Sequence, residues 1–477
     1  MALLLNKGAD VNAQGGEYGN ALYAASYKGD LEIVKDMNAQ GGEHGNALYT
    51  ASYKGDLEIV KLLLDKEADV NAQGGEYGNA LQAASYIGDL EIVKLLLDKG
   101  ADVNAQGGEH GNALYAALYI SHLEIVKLFL DKGADVNAQG GLHGNALYAA
   151  SYKGDLEIVK LLLDKEADVN AQGGEYGNAL QAASYIGDLE IVKLLLDKGA
   201  DVNAQGGEHG NALYAALYIS HLEIVKLFLD KGADVNAQGG LHGNALYAAS
   251  YKGDLEIVNH LLNKGADVNA QGGLHGNALQ AALYIGHLEI VKHLLDKGAD
   301  VNARGAYYGN ALYAASYKGD LEIVKLLLDK GADVNAQGAY YGNALYAALY
   351  KGDLEIVKLL LDKGADVNAQ GGEHGNALQA TSYKGYLEIV KLLLDKGADV
   401  NAQGGKYGNA LQAASSEGHL EIVKLLLDKG ADVNSQGGKY GNALQAASRD
   451  GYREIIRLLL EYAAHLNAYG DESLCPQ

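Results

Sequence analysis

The tetrapeptide Gly-Asn-Ala-Leu opens at Gly19, Gly45, Gly78, Gly111, Gly144, Gly177, Gly210, Gly243, Gly276, Gly309, Gly342, Gly375, Gly408 and Gly441. The first gap is 26 residues and every later one is 33. A unit of that length cannot enclose a core alone, so neighbouring copies must bury each other's apolar faces in a stack. Positions that stay constant then belong to the frame. Positions that vary between copies are where a partner can be distinguished.

The copy opening at Gly78 shows the local logic. Asn79 precedes Ala80-Leu81-Gln82-Ala83-Ala84-Ser85-Tyr86, and an Asn there can accept hydrogen bonds from the open N–H groups of a helix start. The segment is short and Ala-rich, which predicts a first helix of about two turns. Gly88 can close it with positive φ, and Asp89 can cap a second helix over about Leu90 to Lys99. Leu90, Val93, Leu96 and Leu97 form a stripe that Ile92 and Leu95 widen, so this helix is buried on more than one side. Gly100 ends it, Ala101 to Ala105 is extended, and Gln106-Gly107-Gly108-Glu109-His110 reverses into the next copy. The expected fold is an all-α solenoid of helix, turn, helix and projecting hairpin.

The order Asn-Ala-Leu-Tyr/Gln-Ala-Ala, then Gly-Asp/His-Leu-Glu-Ile-Val-Lys-Leu-Leu-Leu-Asp-Lys-Gly-Ala-Asp-Val-Asn-Ala, resembles the ankyrin repeat over about Glu43 to Asn467. The family pattern begins Thr-Pro-Leu-His; here Asn, Ala and Tyr or Gln replace Thr, Pro and His. Those changes are expected to cost the preset proline φ and the Thr/His hydrogen-bond pair while keeping a cap. The Gly-Asn-Ala-Leu variant with its Gly-Gly loop looks like the long ankyrin arrays of filamentous fungi. Such arrays often form the C-terminal sensor part of larger signalling proteins.

The array is imperfect at its start. Met1 to Tyr18 reads as the tail of a repeat without its first helix, which would make the chain a piece of a longer one. In the next unit Leu31-Glu32-Ile33-Val34-Lys35 runs into Asp36-Met37-Asn38, with seven residues missing. Residues 1–42 are therefore expected to be partial or defective repeats with a frayed start. The regular array spans 43–440, a capping repeat 441–470 and a flexible tail 471–477. Arg449, Arg453 and Arg457 make that last copy polar, as a cap should be. Residues 45–143 and 144–242 differ only at Thr50 against Ala149. Within those blocks Glu67 and Glu166 stand for a helix-ending Gly, and Ser121 and Ser220 for the inter-helix Gly.

Composition narrows the partners. The charge is −23, with 38 Lys+Arg against 61 Asp+Glu, and each Lys sits among acids. That balance repels phosphate backbones and anionic membrane surfaces, so neither nucleic acid nor membrane is an expected partner. The single cysteine, Cys475, suits a reducing compartment. No apolar run approaches the ~20 residues of a membrane span. A cytoplasmic, or else nuclear, monomer is expected.

Repetition also weighs against chemistry. The Gly-Gly loops could cradle phosphate, but no Gly-Lys-Ser/Thr follows and they recur in nearly every copy. His44, His110, His143, His209, His242, His275 and His374 share one loop position, and neighbours about 8–10 Å apart cannot share a zinc ion. Glu91 and its equivalents are expected to pair with Lys on solvated faces. The chain is read as no enzyme, with no cofactor, metal or catalytic residue.

Tyrosine carries the functional lead. A column runs through Tyr86, Tyr119, Tyr185, Tyr218, Tyr284, Tyr317 and Tyr350 at the end of the first helix. The resemblance places that position on the concave binding face beside the hairpins. Tyrosine is a favoured interface residue, although the rings could also stack on one another. The residue after the column varies among Lys, Ile, Glu and Asp, and the residue two beyond that among Asp, His and Tyr. The hairpin pair before Gly-Asn-Ala-Leu varies as well. It supplies His110, His143, His242 and His275, and its densest aromatic patch is Tyr307, Tyr308, Tyr340 and Tyr341. Together these residues are the protein-binding candidates. The expected function is non-catalytic recognition of a protein or peptide. The alternative is a sensor fragment of a larger nucleotide-dependent signalling protein.

Overall fold

The computed structural model describes residues 21–29, 47–74, 76–140, 144–239, 243–305, 309–338, 342–371 and 375–470. Among them are 27 α-helices and several two-residue antiparallel ladders. Two compact units divide the chain, Met1–Leu241 and His242–Gln477. Within each, the first helices of successive repeats pack side by side, and each carries its second helix behind it. No helix among the described residues is long and apolar enough to cross a membrane.

The repeat opening at Gly78 forms the expected elements. Its first helix is Ala80–Ile87, and Asn79 Oδ1 accepts the Gln82 N–H at 3.0 Å. Ala80 through Ser85 are all buried, because small side chains let neighbouring helices approach closely. Gly88, at φ 84°, turns the chain into Leu90–Asp98, which Asp89 caps through the N–H groups of Glu91 and Ile92. In that helix Ile92, Val93 and Leu96 lose all exposure.

The Asp-Val-Asn tail locks each copy to the next. Asp102 Oδ1 accepts the Asn104 N–H at 2.9 Å. Asn104 Nδ2 then donates to the Gly133 carbonyl at 3.2 Å, and its Oδ1 accepts the Asp135 N–H at 2.7 Å. This forward clasp recurs from Asn71 to Asn203 in the first unit and from Asn269 to Asn401 in the second. Lysines add exposed pairs, within a helix as in Lys61–Glu58 at 2.9 Å and between copies as in Lys330–Asp296 at 2.8 Å. Exposed pairs of this kind are screened by solvent and add little to stability.

Glycine in the hairpins serves close approach. Gly140 pairs with Gly144, and a Cβ on Gly140 would lie 2.7 Å from the Tyr115 ring. Where the sequence departs from glycine, the backbone keeps its left-handed shape. Glu67 has φ 62°, Glu166 64°, and Ser121 and Ser220 60°. Ser121 compensates, because its hydroxyl donates to the Asp155 carboxylate. Asp155 makes no side-chain cap to its own helix.

At the far end the last helix runs from Arg453 to Gly470, 18 residues against the usual 9. Ala463 stands where most copies have glycine, and the helix runs on through it. The Tyr462 hydroxyl donates to the Leu427 carbonyl at 2.7 Å, tying the extension to the preceding copy. The segment 471–477 lies outside the described residues. So does the defective first unit, apart from the helix Ala21–Lys28 and Gly29.

Candidate recognition surface

The column tyrosines stack on one another at 6.1–6.4 Å, and in several described repeats a hairpin ring lies closer to both than they lie to each other. Tyr77 lies 5.5 Å from Tyr53 and 4.4 Å from Tyr86, and His110 lies 5.2 Å from Tyr86 and 4.8 Å from Tyr119. Where the hairpin is described, the result is a ladder of two rings per repeat. The duplicate block repeats it as Tyr152, Tyr176, Tyr185, His209 and Tyr218. In the second unit His275 lies 5.9 Å from Tyr251 and 4.0 Å from Tyr284. Such offset stacks contribute about 0.5–1.5 kcal/mol per pair beyond burial.

Burial sets the chemistry of these rings. Desolvation first, then the hydrogen bond with Tyr86, pushes the Tyr77 hydroxyl well above the phenol range, and Tyr176 behaves alike with Tyr185. Burial, aided by the Lys318 charge, pulls His275 below the ordinary imidazole value. All three are therefore held neutral near pH 7, as supporting rings rather than bases or nucleophiles.

The third residue of each first helix reads differently from the sequence expectation. The Thr/His pair is not simply lost. In glutamine copies the pair is rebuilt: Gln82 Oε1 accepts the Asn79 N–H at 2.6 Å while Asn79 caps Gln82. Gln82 Nε2 also donates to the carbonyls of Ala105, Gly107 and Gly111 in the next hairpin, at 3.0–3.2 Å. Asn79 Nδ2 is left without a partner. In tyrosine copies the roles exchange. Tyr148 is buried and its hydroxyl accepts the Tyr176 N–H at 3.2 Å, while Asn145 Nδ2 donates to Ala171 and Gln172. This alternation is frame, although it varies between copies.

The variable residue after the column decides what caps the ladder's edge. As lysine it covers the preceding tyrosine: Lys153 Nζ sits 4.7 Å from the Tyr119 ring, Lys351 4.9 Å from Tyr317 and Lys384 4.9 Å from Tyr350. As isoleucine it stands in solvent; Ile87 and Ile186 are each 42% exposed and Ile285 41%. The next variable position faces inward instead. The His122 ring fills the space at Gly88, where a Cβ would come within 1.9 Å of it.

Of the expected site residues, Tyr86, His110 and Tyr119 share one ladder, with Tyr185 and Tyr218 in its duplicate. Tyr284 joins His275, and Tyr317 stacks on Tyr350 at 6.1 Å. His110 is 8% exposed, a supporting ring inside the stack. His143, His242, Tyr307, Tyr308, Tyr340 and Tyr341 lie outside the described residues. Sequence reasoning did not single out Tyr77, Tyr176, Tyr407 or the four isoleucines Ile87, Ile120, Ile186 and Ile219. The signal was present, since every residue before Gly-Asn-Ala-Leu is Tyr or His.

No curated protein sequence matches the chain. The family model described as ankyrin repeats, in three-copy form, matches overlapping windows from residues 1–74 and 21–107 through 378–470. With the helix–turn–helix–hairpin unit and nearly the whole chain matched, the protein belongs to the ankyrin repeat family.

Proposed function

We propose that the chain is a non-catalytic module that binds a protein or peptide along the ladder's exposed edge, the side that the family resemblance makes concave. The observation that carries this reading is the contrast between a rigid stack of rings and the changing, exposed residues beside it. An ordered frame loses little conformational entropy on binding, so a few side chains can set affinity. The repeated acids are paired with lysine, as in Glu58–Lys61, and the half-buried hairpin tyrosine Tyr77 is held neutral, which supports a non-catalytic role. The acidic surface favours a protein partner over nucleic acid.

Affinity capture tests the reading. The whole chain is compared with a variant carrying Tyr307→Ser, Tyr340→Ser and Tyr341→Ser at the densest aromatic positions. Loss of captured proteins supports recognition along this edge. An unchanged set at equal folded protein sinks it.

A further inference from the structure

Hairpin tips pair two by two. The Glu109 N–H donates to the Glu76 carbonyl at 3.0 Å, and the Glu208 N–H to that of Glu175 at 3.1 Å. Each pairing holds two exposed carboxylates on neighbouring tips. Like charges held together repel, and a cation between them relieves that repulsion. The Tyr77–Tyr86 stack brings the sequence neighbours of those rings, Glu76 and Ile87, to one stretch of the edge. Ile87 is 42% exposed, and Ile120 follows one repeat on, partly exposed. Two rows result, one apolar and one acidic. At the equivalent position one repeat before Ile87 and one after Ile120, Lys54 and Lys153 lie over the Tyr27 and Tyr119 rings.

The whole arrangement occurs twice within Met1–Leu241. Glu175, Glu208, Ile186 and Ile219 repeat it in a block that differs from the first at one position. Elsewhere the same frame carries the opposite charges. The Lys439 N–H donates to the Lys406 carbonyl at 2.8 Å, and Glu417 and Asp450 stand where the isoleucines would be.

We infer that Ile87–Ile120 and Ile186–Ile219 are two equivalent docking patches for an extended basic segment of a partner protein, in which Lys or Arg alternates with aliphatic residues. The inference rests on the recognition reading above. An extended chain turns alternate side chains to opposite sides, so one set meets the isoleucines and the other the glutamates. Two patches in one unit favour a partner that carries the segment twice, through avidity.

The test selects short random peptides on the full chain and titrates the enriched ones by calorimetry. Enriched peptides should be basic and aliphatic, bind at two per chain and weaken as salt rises. Ile87→Ser with Ile120→Ser should leave one site. Adding Ile186→Ser and Ile219→Ser should leave none, with the circular dichroism unchanged. Acidic or neutral enriched peptides overturn the inference and leave the recognition reading standing, as does binding that survives in the fourfold variant. A wild-type dimer that becomes monomeric in that variant assigns the patches to a second copy and also overturns it. Failure to enrich any peptide counts against both readings.

Discussion

Glu67 and Glu166 hold a backbone shape that suits glycine, with φ 62° and 64°. Each should cost on the order of 1 kcal/mol. Glu67→Gly and Glu166→Gly are therefore expected to stabilise by about that much per site, read as a higher urea midpoint at constant slope. An unmoved midpoint would mean that no strain is stored there. Ser121→Gly should gain less, because the hydroxyl bonded to Asp155 goes with it. Gln82 offers a sharper contrast. Gln82→Ala leaves its hairpin carbonyls unserved and should cost about 1–3 kcal/mol. Gln82→Tyr should cost less, since Asn79 Nδ2 can take over as Asn145 does. Equal losses in both variants would show that this exchange of partners does not operate.

At the scale of the element, the hairpin ring couples one repeat to the next, and His275 is the ring whose charge matters. The Tyr251 and Tyr284 rings flank it, the Tyr247 hydroxyl accepts its backbone N–H, and Lys318 is the nearby cation. Its neutral form is favoured in the fold. That contribution is complete above the unfolded value of about 6.5 and is lost as pH falls below it. The thermal midpoint should drop between about pH 7 and pH 5, and His275→Gln should flatten part of that slope. An identical slope in both proteins would clear His275.

Helices were largely legible in the sequence, because Asn79, Gly88, Asp89 and Gly100 punctuate them and Ile92, Val93 and Leu96 mark the buried stripe. The intercalated ladder was not. It depends on the height at which a hairpin meets a helix of the neighbouring copy, and no local pattern encodes that. The long final helix is a separate case: the polar arginines mark a cap, while the helix length turns on Ala463 standing in place of a glycine stop.

For the whole molecule the duplicated block provides its own control. Deleting residues 144–242 joins His143 to Gly243, the junction sequence that His242 and Gly243 already make. Stability in such arrays is close to a sum over repeats and their interfaces. The shortened chain should keep its mean residue ellipticity and unfold at a modestly lower midpoint. Collapse of the helical signal would reveal coupling beyond nearest neighbours.

The asparagine clasp adds a direction to all this. Each Asn reaches forward to the copy after it. Under tension, the described interfaces from Asn71 to Asn203 and from Asn269 to Asn401 present the same small lock, loaded in the same sense. Such a chain should pay out slack in even steps, roughly 110 Å of contour for each 33-residue copy released, and behave as a ratcheted spring rather than a single brittle body.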